Sequence, residues 1–332
     1  MNNSTLNEKD NVYQHPMPLI LRAFLTSLVA VLLVVCNIFS MNVLAMTKQI
    51  PKISRMCLIN LAFADCMLGL ISCAPSVPSS VTGTWLFGEV FCQISGMNLC
   101  ANATVSIWSV LLVSIDRYFA ILHPMKYRDI ITEKRLRITI GFMWLGAYGL
   151  FVLPVLLSKR FIYYIYSPKE IVCGDFWQFA WFGIMAVVSV PVLTSIGLLY
   201  CTISIVLHLR AHKNQISDGS KASDGASKRN IKAIKLLVIT ASAYYLAWMP
   251  YAIHLFIVLI PKDPPFVHPV LKFCLLWTGM SNSFTNVLIY LSVYAAFRHN
   301  GLILINKVTC KLCLGKIIEK SHQSTLNSTA TG

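Results

Sequence analysis

The stretch LILRAFLTSLVAVLLVVCNIFSMNVLAM, residues 19–46, carries a single charged side chain, that of Arg22. A helix of about 20 apolar residues crosses the hydrocarbon core of a bilayer, so this stretch is long enough to span a membrane. Six more such runs follow, at about 56–80, 91–122, 136–157, 177–208, 232–260 and 270–294. They are too long and too continuous for the tilted strands of a barrel. The sequence therefore predicts an all-α membrane protein, a seven-transmembrane helix bundle, with helices numbered one to seven in chain order.

The overall composition agrees with this interpretation. Hydrophobic residues make up 56% of the 332 residues and charged residues only 12%, and the mean hydropathy is +0.65. Soluble domains carry roughly a quarter charged residues. Any one apolar run could be a buried helix of a soluble protein, but seven in succession disfavour that alternative.

The distribution of basic residues predicts the orientation. Most of the 28 lysines and arginines lie after runs one, three and five and in the C-terminal tail. The positive-inside rule assigns these segments to the cytoplasm, so we expect an extracellular N-terminus. The net charge of +15 is then a topology signal and a source of attraction to anionic membrane lipid. No nucleic-acid partner is needed to explain it.

The predicted organisation has four parts, in a multi-pass protein of the plasma membrane. They are an extracellular tail (1–18), the bundle (19–294), a short amphipathic eighth helix along the inner surface (295–309) and a cytoplasmic tail (310–332). Asn2 and Asn3 begin glycosylation sequons. Cys310 and Cys313 are either a palmitoylation site or two free thiols. The Ser/Gly/Asp/Lys-rich segment 214–230 is interpreted as a flexible linker.

Two of the eleven cysteines differ from the rest in position. Cys92 and Cys173 fall at or near the outer face, where oxidation can occur. We expect them to form a disulfide that ties the second outer loop to the top of helix three. Most of the other cysteines lie within spans, where Cys behaves as a small hydrophobe.

Ionisable residues inside spans are costly, so each is a functional candidate. They are Asp65 on helix two, Asp116 and Arg117 at the inner end of helix three, His254 on helix six and Lys272 on helix seven. The sequence has no HExxH motif, no GxSxG motif in a plausible context and no pair of intramembrane carboxylates, so we expect neither an enzyme nor a cofactor. An ion transporter or channel using Asp65 is a remote alternative, disfavoured because inverted repeats and broken helices are not evident.

Several motifs occur together in one order along the chain. They are LAFADCML (61–68) on helix two, Cys92 opening helix three, SIDRYFAILHP (114–124) at its end, Trp144 on helix four, Pro191 on helix five, AWMP (247–250) on helix six and NVLIY (286–290) on helix seven. In this order and topology they resemble the rhodopsin-like (class A) G-protein-coupled receptors, from Asn37 to about Cys313. The stretches YYLAWMPYAIHLF (244–256) and LLWTGMSNSFTNVLIYLSVYAAF (275–297) resemble a small orphan branch of that class, which also lacks the helix-seven proline.

The resemblance implies a polar site around the helix-two carboxylate, where residues of helices three and seven surround a sodium ion. The residues at the matching positions are Asp65, Asn102, Ser106, Asn282, Ser283 and Asn286. One carboxylate with hydroxyl and amide oxygens is hard-ligand chemistry, which suits a small hard cation. A water-filled network around Asp65 without an ion is the alternative.

The resemblance also implies a cytoplasmic surface for a heterotrimeric G protein, with arrestin and receptor kinases as further partners. The coupling and activation residues are Asp116, Arg117, Tyr118, Met125, Tyr200, Lys232, Lys235, Tyr244, Trp248, Pro250 and Tyr290. Arg117 would cap the C-terminal helix of a G-protein α-subunit, and Met125 would fill its hydrophobic pocket. Trp248 and Pro250 would belong to the hinge of helix six.

Three departures from the class pattern concern activation. Val287 stands where the helix-seven proline would be, which restores a backbone N–H and should lessen the kink. Tyr200 lies nine residues after Pro191, where the usual spacing is eight, so contact between Tyr200 and Tyr290 would need a helical bulge or another partner. Asn230 stands where many members have an acid that holds the helix-three arginine in the off-state. We therefore expect appreciable signalling without ligand.

A ligand pocket is implied in the outer half of the bundle. Its residues would be Leu99, Ala103, Thr104, Gly183, Val187, Trp248, Tyr251, Ala252, Leu255, Leu276 and Met280. Leu99 stands where amine receptors have an aspartate, which disfavours a biogenic amine, and Met280 stands where opsins have the retinal lysine.

Two interpretations of this apolar pocket remain open. In the first, the second outer loop occupies it through the aromatic run FIYYIY (161–166). The orphan branch favours this reading, with high basal activity and coupling to a stimulatory G protein and cyclic AMP. In the second, a hydrophobic or lipid-like agonist binds there and the receptor couples to another G protein.

Overall fold

The seven-helix bundle is confirmed in the computed structural model, which describes residues 15–157, 162–177, 179–216, 224–261, 263 and 265–310. The helices are one, Leu19–Met46; two, Lys52–Thr82; three, Gly88–Leu122; four, Glu133–Leu157; five, from Ala180 to Ile216; six, Asp224–Leu259; and seven, Pro269–Val293. Six of them are each long and apolar enough to cross a membrane, and helix seven is a seventh candidate span, followed after a bend by the helix Ala295–Cys310. Large apolar side chains such as Phe142, Leu145 and Leu246 point outward and are 70%, 70% and 77% exposed, as lipid-facing residues should be.

Helix ends differ from the ends of the apolar runs. Helix five continues to Ile216 and helix six begins at Asp224, so helix covers both ends of the segment that was interpreted as a linker. Hydropathy marks where the chain leaves the bilayer, whereas Lys, Arg, Gln and Ala continue a helix into water at little cost. A further short helix, Pro124–Ile130, follows helix three.

A β-hairpin covers the outer end of the bundle. Strand β1, Ile162–Ser167, pairs antiparallel with strand β2, Val172–Trp177. Helix five therefore begins at Ala180 rather than at 177. Cys173 of β2 is joined to Cys92 of helix three by a disulfide, which fixes the hairpin over the bundle.

The chain turns by 109° after helix seven into the helix Ala295–Cys310, in the place expected for the amphipathic helix. Phe297 is fully buried there, with its ring 5.7 Å from that of Tyr290 and 6.2 Å from that of Phe39. Asn300 Nδ2 donates to Thr47 Oγ1 at 2.9 Å. These contacts attach the helix to the inner ends of helices one and seven.

Helices two and five each contain a π-helical segment, at Gly69–Cys73 and Val188–Val192. A π-helical turn accommodates one extra residue, and such turns are frequent at functional sites. The second segment encloses Pro191, which lies nine residues before Tyr200.

Candidate functional site

The polar site in the middle of the bundle is built on Asp65, which is fully buried. Asn286 Nδ2 donates to Asp65 Oδ2 at 3.2 Å, and the hydroxyls of Ser106 and Ser283 face the same carboxyl. Asn37 Nδ2 donates to the backbone oxygen of Ser283 at 3.3 Å. Helices two, three and seven thus meet at one carboxyl group, with helix one bonded to the backbone of helix seven beside it. Four of the six predicted residues come together there.

Asn102 and Asn282 are oriented differently from this group. Asn102 Nδ2 donates to Asn98 Oδ1 at 2.6 Å and to the Tyr148 hydroxyl at 3.0 Å. Asn282 Oδ1 accepts from the Thr285 hydroxyl at 3.4 Å. Asn98 was missed by the sequence analysis, although its spacing of four from Asn102 on one helix face indicates contact.

Two oxygens near this region lack hydrogen-bond partners. Within the described part of the chain, Asp65 Oδ1 and Asn102 Oδ1 are buried with no partner at normal hydrogen-bond distance, although the Ser106 and Ser283 hydroxyls lie near the carboxyl. Buried polar atoms are nearly always satisfied in proteins, so unpaired oxygens indicate room for a further partner. A carboxylate and an amide oxygen fit a small hard cation or a bound water.

The inner end of helix three holds a second polar cluster, centred on Asp116. Its carboxylate is 3% exposed and pairs with Arg117 Nη2 at 2.6 Å. It also accepts from the Ser54 hydroxyl at 2.7 Å and from the Tyr127 hydroxyl at 2.6 Å. Arg117 also donates to Ser54. Ser54 and Tyr127 were missed, because nothing in their local sequence indicates contact with helix three.

Two of the predicted activation tyrosines contact each other. The hydroxyls of Tyr118 and Tyr200 lie 3.4 Å apart, and Tyr200 is 60% exposed on the outside of the bundle. Tyr290 is buried 5.7 Å from Phe297 instead. Helix seven runs unbroken through Val287. In this structure Tyr200 therefore has Tyr118 as its partner in place of Tyr290.

The proposed hinge of helix six packs closely on helix seven. A Cβ atom added to Gly279 would lie 2.9 Å from the ring of Trp248, so the indole lies directly on the glycine backbone. Tyr244 is 1% exposed in the core below it, and Pro250 lies inside the helix without interrupting it.

The remaining predicted site residues are exposed at the surface or lie outside the residues that the structure describes. Met125 is 89% exposed on the inner side. Lys232 and Lys235 lie on helix six, with side chains outside the described set. Cys310 is exposed at the end of the amphipathic helix. Asn2, Asn3 and Cys313 lie outside the described residues.

A cavity of about 110 Å³ opens in the outer half of the bundle. The predicted residues that line it are Leu99, Ala103, Thr104, Val187, Trp248, Tyr251, Ala252, Leu255 and Leu276. Two predicted residues do not line it: Gly183 packs against Trp177 and Leu259, and Met280 is fully buried with Sδ 3.6 Å from Cys73 Sγ. Asp175 and Trp177 of β2 line it instead. The sequence did not indicate these two residues, because its most prominent loop feature is the aromatic run that ends in β1.

Tyrosines of that aromatic run attach the hairpin to the outer ends of helices two, three and four. Tyr164 is fully buried, its hydroxyl donates to the backbone oxygen of Phe151 at 3.2 Å, and its backbone exchanges hydrogen bonds with Gln93. Tyr166 donates to the backbone oxygen of Ser79 at 3.2 Å. The described part of the run, residues 162–166, thus covers the bundle and is not among the residues that line the cavity.

Comparison with known proteins agrees with this architecture. Residues 30–290 match the family "7 transmembrane receptor (rhodopsin family)". Trace amine-associated receptor 8a of Rattus norvegicus is 28% identical over 90% of this chain and 87% of its own length. Trace amine-associated receptor 5 of Mus musculus is 29% identical, over 88% and 87%. Tachykinin-like peptides receptor 86C of Drosophila melanogaster is 25% identical, over 81% and 54%.

The family match covers well over half of the chain and all seven helices, except residues 19–29 of helix one and 291–293 of helix seven. Its members are receptors of the plasma membrane that couple to heterotrimeric G proteins, and they are not enzymes. The chain therefore belongs to the rhodopsin family of seven-transmembrane receptors.

Proposed function

We propose that this receptor couples to a stimulatory G protein, raises cyclic AMP and signals substantially without added ligand. The observation that supports the proposal is the set of hydrogen-bond partners of the Arg117 side chain. Among the described side chains its hydrogen-bond partners are its neighbour Asp116 and Ser54 of helix two. Asn230 stands where many members of the class have an acid that holds this arginine in the off-state. The off-state would therefore depend on Asp116 and Ser54, without an ionic clamp from position 230.

The second outer loop supports the same proposal. The hairpin is held by the Cys92–Cys173 disulfide and places Asp175 and Trp177 in the cavity wall. A loop that fills part of the ligand site can replace an external agonist. A hydrophobic agonist with another G protein is the second candidate, and the mainly apolar lining of the cavity favours it.

The inner surface would bind the G protein, with arrestin and receptor kinases as later partners. Arg117 would contact the C-terminal helix of the α-subunit once Asp116 releases it. The exposed thioether of Met125 would enter a hydrophobic pocket of that subunit, and Lys232 and Lys235 would add positive charge. The N-terminus, with glycosylated Asn2 and Asn3, would lie outside the cell, and palmitoylated Cys310 and Cys313 would lie inside.

The test of the proposed function is cyclic AMP in cells that express the intact chain without added ligand. We expect a basal signal several times that of mock-transfected cells, and Arg117→Ala should remove most of it because the α-subunit loses its central contact. Arg137→Ala is the matched control, since Arg137 forms an exposed ion pair with Glu133 and such pairs contribute little. Flat cyclic AMP in the wild type at normal surface expression would overturn the stimulatory coupling.

We propose that the polar site binds Na⁺ through Asp65 with help from Ser106, Ser283 and Asn286. Asn102 would contribute through its unpaired Oδ1, whereas Asn282 would first have to turn away from Thr285. Support comes from the unpaired oxygens Asp65 Oδ1 and Asn102 Oδ1. A bound cation would offset the cost of a buried carboxylate. These residues would hold the ion and couple helices two, three and seven in the off-state.

A ligand that binds only the folded state raises the melting temperature with its concentration. We expect the purified receptor to melt a few degrees higher in NaCl than in choline chloride of equal ionic strength, and Asp65→Asn to lose that difference. Equal melting temperatures of the wild type in the two salts would favour the water network.

A further inference from the structure

The loop residue Asp175 brings a carboxylate to the ligand cavity. It follows Cys173 by two positions on β2 and is partly buried. The cavity lining is otherwise almost wholly apolar, with the hydroxyls of Thr104 and Tyr251 as its few polar groups. The helix positions alone predict an apolar cavity, because the carboxylate comes from the loop.

The charge of Asp175 has no ionic partner among the described residues. The three ion pairs found there involve other acids. Asp175 Oδ1 contacts Cys100 Sγ at 3.8 Å, and a thiol is a weak donor. Burial raises the pKa of this carboxyl above its ordinary value, as expected for an acid that lacks a counter-charge.

The neighbouring acid, Glu170, differs in this respect. Burial and the field of Asp175 raise its pKa, but Lys272 and Lys169 lie close enough to lower it. Glu170 thus has basic neighbours, whereas the carboxylate at the cavity wall has none. A buried charge left without a partner is costly, so a cationic ligand would remove an existing penalty.

The surrounding rings suit a cation with an apolar body. Trp177, Trp248 and Tyr251 line the same cavity as Asp175, and aromatic faces attract ammonium groups. The contact with Cys100 places the carboxylate beside helix three, next to Leu99 in the cavity wall. The indole of Trp177 lies beside the Asp175 carboxylate and favours its charged form, but it carries no charge that could neutralise the carboxylate.

We propose that the cavity binds a small organic amine, whose ammonium pairs with Asp175 while its apolar body lies among Trp177, Trp248 and Leu99. The inference rests on the proposed receptor function for its signalling consequence. It replaces the expectation that Leu99 disfavours amines, because the loop supplies the carboxylate that helix three lacks. The volume of about 110 Å³ limits the ligand to one ring or a short chain.

The test uses the purified full chain in detergent with two probes of one shape, 2-phenylethylamine and the neutral 2-phenylethanol. We expect the amine to raise the melting temperature of the wild type and the alcohol to have no effect. Asp175→Asn should weaken amine binding about thirtyfold or more, because removing one partner of a buried charge pair has an effect of that order. Asp263→Asn is the matched control, since Asp263 is an exposed acid between helices six and seven.

The double variant Leu99→Asp with Asp175→Asn keeps the test decisive if Asp175→Asn alone folds poorly. It returns a carboxylate to the same cavity wall and should restore stabilisation by the amine. Equal stabilisation by the two probes, or by the amine in wild type and Asp175→Asn, would overturn the inference. Basal cyclic AMP is measured on the same variants: a basal signal without amine binding refutes the inference alone, whereas amine binding without a basal signal refutes the coupling alone.

Discussion

Replacing Gly96 with alanine is expected to displace the outer hairpin from helix three and to lower the melting temperature of the receptor. A Cβ atom at position 96 would lie 2.6 Å from Cγ and 2.7 Å from Cβ of Tyr164. These atoms are the near end of the side chain, so a rotamer change cannot move them away and the strand itself must shift. Cys92 lies four residues earlier on the same helix face, so the disulfide opposes that shift.

The matched control for this change is Gly141→Ala on helix four, where an added Cβ meets nothing within 4 Å. Both alanines gain about 1 kcal/mol of helix propensity, so the difference between the two variants isolates the clash. Overpacking of this kind costs about 1–3 kcal/mol. Equal melting temperatures for Gly96→Ala and Gly141→Ala would mean that the hairpin does not rest on helix three as described.

Asp116→Asn is expected to raise ligand-independent cyclic AMP severalfold at equal surface expression. The Asp116 carboxylate, 3% exposed, holds Arg117 at 2.6 Å and accepts from Ser54 and Tyr127. An asparagine has no charge and only one acceptor oxygen, so the off-state loses its ion pair. Breaking a buried pair costs about 3–5 kcal/mol, whereas an active state with Arg117 already released loses much less.

Asp129→Asn serves as the control for Asp116→Asn. Asp129 is exposed on the next short helix. Its backbone oxygen accepts from Arg135 Nη1 at 2.7 Å, and its carboxylate is in none of the ion pairs among the described residues. Its replacement should leave basal cyclic AMP unchanged. A lower or unchanged signal in Asp116→Asn would show that the carboxylate does not restrain the receptor.

The bundle could be predicted from the sequence because the bilayer imposes a length on every span. Residues 19–46 became helix Leu19–Met46, and the amphipathic helix began where expected. The hairpin could not be predicted in the same way, since its strands are short and its pairing depends on the Cys92 anchor and on the surface of helix three. Ile171, buried between the strands at a φ of 59°, gives no turn signal in the sequence.

The site residues show the same division. Asp65 and Asn286 were predicted from their motifs and lie in contact at 3.2 Å. Tyr127 and Asp175 were not predicted, because they lie in connections between the membrane-spanning helices. Tyr127 is on the short helix after helix three and Asp175 is on β2, and tertiary packing determines where these connections run. Sequence motifs identify the site residues that lie on the helices. The site residues that lie in the connecting segments can be identified only from the folded structure.

The π-helical segment Val188–Val192 gives helix five two separate registers. One extra residue rotates everything beyond it by about 100°, so the outer half can aim Val187 at the cavity while the inner half independently brings Tyr200 to Tyr118. An insertion or deletion of one residue in this segment would turn the ligand-facing half of the helix relative to the coupling half. In this way the side chains of helix five that face the cavity can change while the contact between Tyr200 and Tyr118 is kept.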